Sequence, residues 1–85
     1  MTYRDWLKKN YRKSDTAAGD LCRDMEREYE YLRKNPLGAT RLGYAKWKNS
    51  FHWIKNHLYW IGADAETLRT FTETWVEYRR EAKNA

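Results

Sequence analysis

The amino-acid sequence predicts an all-α fold. Apolar residues recur at spacings of three and four along nearly the whole chain, no segment alternates apolar and polar residues at the strand period of two, and cap and stop residues punctuate the periodic stretches. Its 85 residues are expected to make one domain, residues 1–85, a compact bundle of about five helices. A chain this short buries only about 60–65% of the surface its unfolded form exposes, so the core is small. Five Trp and seven Tyr compensate, each large ring removing on the order of 150–250 Å² from water.

Thr2 is positioned to cap a first helix with Asp5 at the capping-box position, and Tyr3, Trp6, Leu7 and Tyr11 form its apolar stripe before a basic end at Arg12-Lys13. Ser14 or Asp15 begins a second helix. Its Ala18, Leu21, Cys22, Met25, Tyr29 and Leu32 share one face, and it ends before Asn35-Pro36 because the residue preceding proline disfavours the helical region. After a turn at Pro36-Leu37-Gly38, Thr40 caps a short third helix through Leu42, Tyr44, Ala45 and Trp47, weakened by Gly43. Asn49 or Ser50 starts a fourth, with Phe51, Ile54, Leu58 and Ile61 as its stripe and Gly62 as its stop. Asp64 caps the last, where Leu68, Phe71, Trp75 and Tyr78 form the buried stripe.

Cys22 stands alone, so no intramolecular disulfide is expected, and no apolar run approaches the roughly 20 residues that span a bilayer. The start, Met1 to Trp6, lacks the pattern of a signal peptide, which leads to the expectation of a cytoplasmic protein with no membrane partner.

Gly19-Asp20-Leu21-Cys22-Arg23-Asp24, Ile54-x-x-x-Leu58, Gly62-Ala63 and Leu68-x-x-Phe71-x-x-x-Trp75-x-x-Tyr78, together with Trp6-Leu7, resemble the YozE-like proteins, small bacterial domains with a sterile-alpha-motif-like (SAM-like) five-helix fold. The resemblance covers residues 3–30 and 50–80 and consists mostly of packing positions. It implies a SAM-like bundle; such folds serve mainly in protein association, with some members binding RNA. The chain departs from the pattern between Leu32 and Asn49, which is longer and has no counterpart to the family's Phe-Pro, and at Trp53, Tyr59 and Trp60, where the pattern is usually polar.

Those departures fall in the most unusual stretch of the chain. Residues 31–63 contain no Asp or Glu, yet carry Arg33, Lys34, Arg41, Lys46, Lys48 and Lys55 and seven aromatic residues. The net charge of +5 therefore resides there. Residues 14–30 carry minus four, and the N-terminal helix before them plus four. Cations interleaved with rings offer an anionic polymer both phosphate neutralisation and stacking faces. At about 100° per residue, Trp53 and Trp60 project at least about 120° from the apolar stripe of their helix. Either they form an exposed patch or the segment before Ser50 covers them as a second small core.

No set of residues assembles a reaction centre. His52 and His57 are five apart rather than the four that let two His share a metal, and Cys22 among Leu21 and Met25 reads as a buried hydrophobe. Gly38-x-x-x-x-Gly43 is followed by Tyr44-Ala45 where a phosphate loop needs Lys and Ser or Thr. Ser14 and Ser50 read as caps, and Asp20 and Asp24 as members of a solvated acidic face. The sequence thus predicts a non-enzymatic binding module without metal or small-molecule cofactor, engaging nucleic acid through Arg41, Lys46, Trp47, Lys48, Trp53, Lys55, Tyr59 and Trp60. The alternative is a protein-interaction domain that uses the same aromatics, either self-associating through its alternating charge blocks or, as the product of a mobile element, blocking an acidic protein surface of its host.

Overall fold

Thr2 starts the first helix as its sequence suggests. Its backbone is extended, and its hydroxyl accepts from the Asp5 amide at 3.2 Å, launching α1 over Tyr3–Tyr11. The computed structural model describes residues 1–34 and 47–84. Among these the chain is all-helical, and the predicted short helix from Thr40 falls, apart from Trp47, outside the described residues. Residues 47–50 are not helical.

The second helix, α2, spans Ala17–Lys34 and starts later than Ser14 or Asp15. The Ser14 amide donates to the Tyr11 carbonyl at 3.0 Å, so Ser14 belongs to the turn that closes α1. Thr16 takes the cap instead, its hydroxyl accepting from the Gly19 amide at 3.4 Å while also bonding the Ser14 hydroxyl at 2.7 Å. The described part of α2 runs to Lys34, and its predicted end before Asn35-Pro36 lies outside the described residues.

Ser50 caps α3, Phe51–Trp60, accepting from the Trp53 amide at 3.3 Å. Gly62, at φ 81°, ends it in the left-handed conformation that glycine adopts without penalty: its amide reaches Tyr59 O and that of Ala63 reaches Leu58 O. Ile61, expected on the apolar stripe, is 41% exposed. It is the C-cap residue, with φ −84° and ψ 4°, and its side chain leaves the helical face at that point. Asp64 then accepts from the Thr67 amide at 2.8 Å and starts α4, Ala65–Asn84.

The four helices pack into a compact bundle in which α4 touches all the others and α1 also lies on α2. At its centre Tyr3 is fully buried, with its ring centroid 5.1 to 6.1 Å from those of Trp6, Phe71, Trp75 and Tyr78. Its hydroxyl meets Thr74 Oγ1 at 2.7 Å, so the one polar atom of that ring is satisfied. Leu7, Leu21, Cys22, Met25, Ile54 and Leu58 complete the core. Asn49 fastens three segments together: its Oδ1 accepts from the Tyr3 amide at 2.9 Å, and its Nδ2 donates to the Tyr78 hydroxyl, which itself donates to Met1 O. Trp6 Nε1 donates to Glu81, and the Tyr11 hydroxyl to Glu77.

Candidate functional site

The apolar face of α3 turns Ile54, His57 and Leu58 inward, which leaves His52, Asn56, Tyr59 and Trp60 exposed on the opposite face. Tyr59 and Trp60 are each 60% exposed at the C-terminal end of the helix. Lys55, half-buried, lies beside this face with its ammonium 5.9 Å from the Phe51 ring centroid. Not one acid occupies α3. The outward face therefore offers two adjacent rings and hydrogen-bond donors with no carboxylate on the same helix to repel an anion.

Trp53, predicted beside Trp60 in the binding surface, behaves differently. It is half-buried, its ring parallel to that of His57 at 5.3 Å and edge-on to Trp47 at 5.0 Å. Trp47 also meets the edges of His57 and Tyr29, and the Arg4 guanidinium sits 3.7 Å from the centre of the Tyr29 ring. Trp47 and Trp53 thus belong to a second aromatic cluster joined to the main core. Although Trp53 and Trp60 lie on nearly the same side of α3, Trp47, which arrives just ahead of the Ser50 cap, packs on Trp53 and His57.

His57 sits inside this cluster. It is 2% exposed, and its Nε2 lies 3.4 Å from Oε2 of Glu28. Burial holds the imidazole below its ordinary pKa, opposed by the Glu28 carboxylate. The stack of Trp53 on His57 follows from their i, i+4 spacing, which places the two rings on one side of a helix, whereas the approach of Glu28 from α2 has no signal in the sequence.

Of the other predicted site residues, Lys48 is exposed, while Arg41 and Lys46 lie outside the described residues. Arg33, the first cation of the acid-free stretch, is bound to Glu30 at 2.8 Å, which holds that carboxyl below its usual range. The same arrangement repeats along α2, where Arg23 holds Asp20 and Arg27 holds Asp24. Arg4 and Lys8 of α1 reach Glu26 at 2.9 and 3.7 Å. Hence Asp20, Asp24, Glu26 and Glu30, expected on a negative face, are matched locally or across the α1–α2 contact, while Glu28 meets His57. Ser50 caps α3 and Ser14 lies in the turn after α1, and among the described residues no group of three or more His, Cys, Asp or Glu could hold a metal ion. No helix among them is long and apolar enough to cross a membrane. The chain matches no family model, no curated protein and no solved structure.

Proposed function

We propose that this protein is a non-enzymatic, SAM-like module of the YozE-like kind, with a fifth short helix before α3, that binds nucleic acid in the cytoplasm through the outward face of α3. The observation that carries this reading is the exposure of consecutive rings, Tyr59 and Trp60, on a helix without acids. Stacking on such rings is tolerant of base identity, so the module holds single strands or loops with little sequence preference. Lys55 and Lys48 contribute charge to the phosphates, joined by Arg41 and Lys46.

Anisotropy of a labelled single-stranded 20-mer at 50 and 200 mM salt tests the proposal. Affinity should fall by about 0.7 log unit per phosphate contact for each log unit of salt. Replacing Tyr59 or Trp60 by Ala should cost about 1–3 kcal/mol of binding. If the wild-type protein does not bind even at 50 mM salt, a protein partner takes the place of nucleic acid. That second reading has its own support. Beside the exposed Ile61 runs a hollow of about 300 Å³ lined by Asp24, Arg27, Glu28, Leu58, Ile61 and Ala63, a mixture of apolar floor and paired charge that suits a protein side chain.

A further inference from the structure

A group of three unmatched cations lies away from α3, where α1 stops. Lys9, Arg12 and Lys13 are exposed, and among the described residues no carboxylate is within ion-pair reach of any of them. Their neighbours are differently employed. Arg4 and Lys8 are committed to Glu26, and Arg23 holds Asp20.

A helix C-terminus normally repels anions, because its last carbonyls carry the negative end of the dipole. Here Arg23 Nη1 donates to the carbonyls of Arg12 and Ser14 at 3.2 and 3.3 Å. A guanidinium thus covers the carbonyls of the cap residue and of the turn after α1, which offsets part of that repulsion beside the exposed cations. Two hollows adjoin the cluster. One, of about 410 Å³, is lined by Lys8, Lys9, Asn10, Arg12, Lys13 and Ser14. The other, of about 230 Å³, is lined by Lys8, Arg12, Cys22, Arg23 and Glu26. Lys8 and Arg12 border both. The larger has no apolar side chain in its wall, so it gives a lipid tail or an apolar protein anchor nothing to bury.

We propose that the end of α1, through Lys9, Arg12 and Lys13, is a second contact surface that holds the sugar-phosphate backbone of a nucleic acid. The proposal rests on the nucleic-acid reading above and extends its footprint. The larger hollow, which has no acid in its wall, seats a phosphate, with Arg12 able to bind it bidentately and Lys9 and Lys13 acting as point charges, while Glu26 in the smaller one keeps anions out of it. The surface is distinct from the α3 rings: no residue of α3 lines either hollow. One surface reads bases by stacking and the other reads only charge, which is how a module grips a strand without register.

An abasic oligodeoxynucleotide, which keeps the phosphates but offers no base to stack, separates the two surfaces. The wild-type protein should bind it. The combined variant Lys9→Gln, Arg12→Gln, Lys13→Gln should lose about two log units of salt slope, while Tyr59→Ala with Trp60→Ala should leave abasic binding unchanged. The three cations are exposed, so an unchanged thermal midpoint confirms that the variant is folded. Absence of abasic binding, or equal binding by the triple variant, overturns the proposal; a base-bearing strand that still binds through Tyr59 and Trp60 then leaves the first reading standing. Conversely, abasic binding that needs the α1 cations, with no gain from bases, upholds this surface and removes the stacking role of α3. A heparin fragment that binds more tightly than either strand overturns the assignment to nucleic acid.

Discussion

At Gly19 an added Cβ would lie 1.9 Å from the Ser14 carbonyl oxygen and 3.1 Å from that of Tyr11. In an isolated helix, alanine would gain about 1 kcal/mol over glycine. Here the backbone between α1 and α2 occupies the space, so Gly19→Ala should destabilise the fold by about 3 kcal/mol. For a domain of this size that is a fall of about 12–24 °C in thermal midpoint, and a melt at or above the wild-type temperature would refute the close approach. His57 makes a second residue-scale case. Its folded-state pKa lies below the ordinary value of about 6.5, so its contribution to stability is complete above that pH. As the pH falls through and below about 6.5, protonation favours the unfolded chain and the contribution is progressively lost. Urea midpoints between pH 7.5 and 5 should therefore fall more for the wild type than for His57→Phe, which keeps a ring against Trp53. Parallel curves would mean that His57 does not carry the acid sensitivity. Single residues with strictly local roles were legible in the sequence: Thr2, Ser50 and Asp64 cap as expected and Gly62 stops α3. Ser14 was misread because Ser14, Asp15 and Thr16 are all acceptable caps, and a bond from the Ser14 amide back to Tyr11 decides among them.

On the scale of elements, α3 shows where periodicity stops being informative. The spacing of Ile54 and Leu58 identifies the inward face correctly. It says nothing of which outward ring is covered, because the cover comes from Trp47, outside the helix. Trp53→Ala should accordingly cost about 2–3 kcal/mol, somewhat less than the loss of a fully buried ring, whereas Trp60→Ala should change stability by less than about 1 kcal/mol. Thermal melts of the two variants, side by side, check this contrast; two equal losses would assign Trp60 to the second cluster as well. Along α2 the acid and Arg pairs at i, i+3 are solvent-exposed and screened, so their main effect is on the field outside the helix rather than on stability.

For the molecule as a whole, the helical class was legible because it rests on period alone, and the absence of strands among the described residues follows from the same pattern. The blocks of plus four and minus four were legible as sums. Where they meet was not, since Arg4 and Lys8 reach Glu26 across a helix contact and leave the cations beyond Lys8 unmatched. The packing of Tyr3 is equally non-local. Its hydroxyl partner, Thr74, lies 71 positions downstream, and Trp6 bonds Glu81, 75 positions downstream. During synthesis at about 5–20 residues per second, the rings that will form the centre of the core thus precede their partners by several seconds. α1 cannot complete its packing in that interval, whatever its own helical propensity. The nascent chain must carry the rings of Tyr3 and Trp6 without these partners until α4 has been made, even where α1 already lies on α2.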